Sequence, residues 1–109
     1  MTKSFSTLDD QALQAVAGGL VTLVEFTQPD CEPCKSVSAA VDAVAAQFGD
    51  QIAVVRVDAS QNPGLADQFG VRATPTVSLV NNSQYVGSAT GRITPAKLSD
   101  WVHRASALG

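Results

Sequence analysis

The sequence predicts an α/β fold, a central mixed β-sheet with helices on both faces. Three observations predict it. Two apolar runs, Leu20 to Phe26 and Ile52 to Val57, show little polar alternation and read as strands buried on both faces. Segments with helical spacing precede, separate and follow these runs. A third strand then folds back through a short polar turn, which adds an antiparallel pair.

Taken in order, Thr7-Leu8-Asp9-Asp10 has the look of a helix start, with a hydroxyl at the cap and acids in the first turn. Leu8, Ala12, Leu13, Val16 and Ala17 continue the helical spacing, and Gly18-Gly19 ends it. Leu20 to Phe26 is the first strand, and Thr27-Gln28-Pro29-Asp30 is a loop. From Cys34 to Phe48 the residues Val37, Ala40, Val41, Val44, Ala45 and Phe48 form one apolar helix face, closed by Gly49-Asp50. Ile52 to Val57 is rich in β-branched residues, which favour a strand. Asn62-Pro63-Gly64 opens a short helix through about Phe69, ended by Gly70. Thr76 to Val80 is a strand, Asn81-Asn82-Ser83 a hairpin turn, and Gln84 to Ser88 the return strand. Thr94-Pro95 opens the last helix, with cap and first-turn proline in the favoured order. Its apolar face is Leu98, Trp101, Val102 and Ala105.

Length and composition narrow the functional classes. A chain of 109 residues predicts a single domain over 1–109, with enough apolar residues for a core without staples. The net charge is -3 and the basic residues are scattered, so nucleic acid is not an expected partner. The first residues lack an apolar signal core, and no apolar run reaches membrane-spanning length. The expectation is a cytoplasmic protein with no membrane partner.

Both cysteines of the chain fall in one motif, Cys31-Glu32-Pro33-Cys34. Any intramolecular disulfide must therefore close inside it, where it staples little and can open and close reversibly. In the cytoplasm such a pair is more often catalytic or metal-binding than structural, and its setting between strand and helix is a redox signature. Cys31 falls at the helix N-terminus, where exposed amides and the helix dipole favour an anion. The thiolate is the nucleophile of disulfide exchange. The expected roles are attack by Cys31 and resolution by the less exposed Cys34. Pro33 lacks an N–H, which costs nothing in the first helical turn, and it stiffens the segment. The competing reading is half of a zinc site shared between chains. Zinc asks for four ligands, and the other soft ligand, His103, lies far away on the last helix.

The chain resembles the thioredoxin family over nearly its whole length. The matching stretches are Val24-Glu25-Phe26, Cys31-Glu32-Pro33-Cys34-Lys35, Val57-Asp58, Gln61-Asn62-Pro63-Gly64, Phe69-Gly70-Val71-Arg72-Ala73-Thr74-Pro75-Thr76, and Gly91 after the hairpin. The resemblance implies the thioredoxin fold and reduction of protein disulfides. It implies no bound cofactor beyond the redox-active Cys31–Cys34 disulfide, and no metal. It places Pro75 at the position the family holds in cis. It also places Glu25 at the buried acid beneath the second cysteine, there to take a proton from Cys34. Arg56 is implied as a basic partner of that acid. Glu32, Ala73, Thr74, Pro75 and Gly91 are implied to border the substrate, with the Thr74 backbone pairing with an extended segment. Implied partners are disulfide-containing proteins and a thioredoxin reductase or other thiol donor, and the implied state is a monomer.

The departures from the family are specific. Glutamate replaces the usual aspartate at 25 and is one methylene longer, so its reach to Cys34 is expected to need a water or a shifted rotamer. Thr27 and Asp30 stand where aromatic residues are usual, Glu32 replaces glycine, and Ala39 replaces a proline that commonly kinks the helix. Asp30 and Glu32 put negative charge beside Cys31 and are expected to disfavour its thiolate modestly. Two other functions remain open at this point: an interaction module that uses the groove without turnover, and a specialised disulfide oxidant or isomerase.

Overall fold

β-Branched and apolar residues fill Val21–Thr27 (β2) and Ile52–Asp58 (β3), and both become interior strands. The computed structural model describes residues 3–5, 20–81 and 84–108. The expected helix over Leu8 to Ala17 lies outside them, as do turn residues 82 and 83. Lys3–Phe5 (β1), Thr76–Asn81 (β4) and Gln84–Thr90 (β5) complete a sheet ordered β1-β3-β2-β4-β5. β1 and β2 run parallel to β3, while β4 is antiparallel to both β2 and β5. The sheet is mixed, as the sequence predicts. β1 was not predicted: three residues carry no readable periodicity, and the strand exists through pairing with β3.

Helices cover both faces. Glu32–Phe48 (α1) and Pro95–Leu108 (α3) lie on one face, where Val37, Val41 and Val44 meet Leu98, Val102, Leu23, Val54 and Leu79. The short helix Pro63–Gln68 (α2) lies on the other, where Ala66, Leu65 and Phe69 meet Val24, Phe26, Val55 and Val57. Phe26 and Phe69 pack with ring centroids 5.4 Å apart. Alternate residues of β2 thus serve two cores, which explains why its sequence shows no polar alternation.

Local chemistry sets the helix ends. α1 starts at Glu32 rather than Cys34, because Cys31 caps it. It runs unbroken through Ala39 and stops at Gly49, whose φ of +55° suits glycine and whose N–H bonds the Ala45 carbonyl. Thr94 caps α3 by accepting from the Lys97 amide at 3.2 Å. β5 extends to Thr90, two residues past the expected Ser88, held by hydroxyl pairs Thr76–Thr90 and Ser78–Ser88 across the ladder. Trp101 is half-buried against the first core and lies over Gly87 of β5. Asp58 closes a turn at the end of β3, where its carboxylate accepts from the Ser60 amide at 2.9 Å. His103 is exposed with its ring edge-on to Phe48.

Candidate functional site

Strand register assembles the site. Phe26 of β2 pairs with Thr76 of β4, so the loop after β2 and the loop before β4 meet at one edge. Thr76 in turn pairs with Thr90, which brings Gly91 alongside. β3 and β4 flank β2 on opposite sides, so the chain diverges at the C-terminal end of β2, where open α/β sheets bind their ligands. Three distant segments converge there: Cys31–Cys34, Ala73–Pro75 and Gly91.

Cys31 and Cys34 form a disulfide with Cα atoms 5.2 Å apart. Cys31 is half-buried and Cys34 buried. The Sγ of Cys31 accepts the Cys34 amide N–H at 3.2 Å and so takes the place of a capping oxygen on α1. The Thr74 hydroxyl also reaches this sulfur, at 3.9 Å. An anion at Cys31 would meet the Cys34 amide at the helix terminus, the helix dipole and a hydroxyl donor. Pro33 sits in the first turn of α1.

The Thr74–Pro75 peptide bond is cis. Gly91 has a φ of +86°, and its amide bonds the Pro75 carbonyl at 3.1 Å. Open space surrounds the place where a Gly91 Cβ would sit, so the backbone conformation is what calls for glycine. Gly91, Glu32 and Pro33 share a groove of ≈ 690 Å³ with Arg92 and Ile93. Ala73 and Thr74 border a second groove with Arg72, of ≈ 340 Å³. The Ala73 carbonyl accepts the Thr76 hydroxyl at 2.7 Å, whereas among the described residues the Thr74 backbone amide and carbonyl have no partner.

Glu25 is fully buried beneath α1. Arg56 is its register partner on β3 and donates Nε–H to Oε1 at 2.8 Å. The Ser38 hydroxyl donates to Oε2. Nη2 of Arg56 bridges the Ser38 carbonyl at 3.1 Å and Asp42 Oδ1 at 2.7 Å. Burial pulls the Arg56 pKa down, but hydrogen bonds and charge from Glu25 and Asp42 outweigh it and hold the guanidinium above its ordinary value. Among the described residues the partners of Glu25 are Ser38 and Arg56. Its extra methylene is spent reaching Ser38 and not Cys34. Sequence reasoning did not single out Ser38 or Asp42, although Cys34, Ser38 and Asp42 repeat at four-residue spacing and so lie along one stripe of α1.

The acids flanking Cys31 are not alike. Asp30 is exposed with a φ of +59°, which aspartate tolerates better than most residues. Glu32 is paired with Lys35 at 2.9 Å, both largely exposed. Lys35 thereby offsets much of the charge that Glu32 brings. Replacing Glu32 with glycine removes a negative charge beside Cys31 and leaves Lys35 in place, so the thiolate is expected to become modestly easier to form. Thiolate absorbance against pH measures it, and no change in Glu32→Gly would count against a tuning role for Glu32.

Comparison with known proteins places these residues in context. Residues 6–104 match the thioredoxin family. The chain is 33% identical over 87 residues to thioredoxin 1 of Synechococcus elongatus, covering 80% of this chain and 81% of that one. It is 35% identical over 82 residues to thioredoxin 1 of a Nostoc species, covering 75% and 77%. Among solved structures, a mutant thioredoxin from Halobacterium salinarum superposes with a TM-score of 0.83 at 24% identity, over 94% of this chain and 90% of that one, a likeness of fold.

Proposed function

Because the chain belongs to the thioredoxin family and is a thiol–disulfide oxidoreductase, we propose that its exchange runs through Cys31 as the attacking sulfur and Cys34 as the resolving one. The Cys31–Cys34 disulfide at the N-terminus of α1, with Cys31 half-buried and Cys34 buried, is the observation that carries this reading. In the reduced protein the Cys31 thiolate attacks a substrate disulfide. A Cys31–substrate bond forms and one substrate thiolate leaves. Cys34 gives up its proton, and its thiolate attacks Cys31 Sγ. The second substrate sulfur departs, and the intramolecular disulfide returns. Two electrons pass to the substrate, and an external thiol donor returns them.

Glu25 takes the Cys34 proton and Arg56 anchors the acid. An extended substrate segment lies across Ala73, Thr74 and Pro75, using the unpaired Thr74 backbone, with Glu32 and Gly91 on its other side. The partners are disulfide-containing proteins and, as donor, a thioredoxin reductase. The protein works as a single-domain cytoplasmic monomer with no cofactor or metal. Among the described residues no cluster of metal-ligating side chains occurs, and no helix is long and apolar enough to cross a membrane.

Reduction of insulin disulfides tests the reading. Turnover is expected with dithiothreitol as donor, and with NADPH and a thioredoxin reductase. Absence of turnover with every donor would leave the fold without the proposed activity.

A further inference from the structure

We propose that Ser38 relays the proton between Cys34 and the buried Glu25. The inference rests on the roles given above to Cys34 and Glu25. It starts from a gap in the geometry. Cys34 lines a groove of ≈ 470 Å³ together with Ser38, Asp42 and Arg56, and Glu25 is not among the residues that border it. Glu25 is fully buried, and its carboxylate turns to Ser38 and Arg56. A proton leaving Cys34 therefore needs a carrier that touches both the groove and the acid.

Ser38 is placed as that carrier. It stands four residues after Cys34, so the two side chains are neighbours on one face of α1. Its hydroxyl already donates to Glu25 Oε2. A serine oxygen that donates keeps two acceptor positions. It can thus receive the Cys34 proton, directly or through one water in the groove, while passing its own proton to Glu25. Arg56 fixes the acceptor end of the path and the backbone of the carrier, binding Glu25 Oε1 through Nε and the Ser38 backbone carbonyl through Nη2. The step balances: the Cys34 S–H bond breaks, Ser38 exchanges one proton for another, and Glu25 becomes a neutral acid. The Cys34 thiolate then forms the S–S bond with Cys31 and expels the substrate thiolate. A longer acid at position 25 and a hydroxyl at 38 form one device, since the extra methylene brings the carboxylate to the serine.

Reaction of the reduced protein with an aryl disulfide, 5,5′-dithiobis(2-nitrobenzoate), tests the relay by stopped flow. The first released thionitrobenzoate reports attack by Cys31, and the second reports resolution by Cys34. In Ser38→Ala the first phase is expected within about twofold of wild type and the second slowed by on the order of a hundredfold near neutral pH. The slowed phase should rise in proportion to hydroxide, because the thiol must then ionise unaided. Ser38→Thr retains the hydroxyl and should restore the rate. A second phase unchanged in Ser38→Ala, or equal losses in the alanine and threonine variants, would overturn the relay. Alanine favours helix. Should that variant fail to fold, wild-type resolution in mixtures of light and heavy water decides. Two protons in flight give a curved dependence, and a linear or absent one rejects the relay. Glu25→Gln separates the premises: an unchanged second phase there refutes the acid role itself, while a slowed one beside an unaffected Ser38→Ala refutes only the relay.

Discussion

Cys34→Ser is expected to abolish insulin reduction, by on the order of a thousandfold or more, and to turn the protein into a covalent trap. The half-buried Cys31 remains, still capping α1 and still in reach of the Thr74 hydroxyl. It can attack a substrate disulfide. A serine hydroxyl cannot then displace the substrate sulfur, so the mixed disulfide accumulates. Mass spectrometry should find one substrate per chain, released by dithiothreitol. Cys31→Ser should be equally inactive but should collect no adduct, because the remaining thiol is buried. The asymmetry between the two variants is the decisive readout. If both trapped substrate equally, the assignment of attacking and resolving sulfurs would fall.

The second large effect concerns stability. Arg56→Met keeps most of the side-chain stem but removes the charge that faces Glu25. A buried ion pair broken on one side leaves an uncompensated charge and costs about 3–5 kcal/mol. Arg56 is partly exposed, with 38% of its side chain accessible, so water softens the loss to roughly 2–3 kcal/mol. Chemical denaturation measures it. The double variant with Glu25→Gln should recover much of the loss, since no buried charge is left behind. A double variant no more stable than Arg56→Met would mean that the uncompensated charge is not the cause of the loss.

The same network shows what could be read in the sequence. The buried strands announced themselves through unbroken β-branched runs, because each serves two cores at once. The cysteine pair was legible from spacing alone. Glu25 and Arg56 emerged from the family resemblance, and the register of β2 on β3 makes them neighbours. Ser38 passed as a small helical residue. Its partner is 13 positions away on another element, and helical spacing identifies a stripe without saying what it faces. The convergence of Thr74, Pro75 and Gly91 on the cysteines was also invisible to local pattern. It depends on which residues of β2, β4 and β5 sit opposite one another. The strand β1 was missed for a related reason, being defined by its neighbour rather than by its own composition.

The chain has one tryptophan, and it sits on α3 against Gly87 instead of beside the cysteines. Trp101 does not border the groove that Cys31 and Cys34 share. Disulfides quench indole emission on contact, so a tryptophan next to such a motif brightens when the pair is reduced. Here the indole packs on Gly87 and the first core, so its emission is expected to follow docking of α3 on the sheet, and unfolding followed by that emission in both redox states checks it.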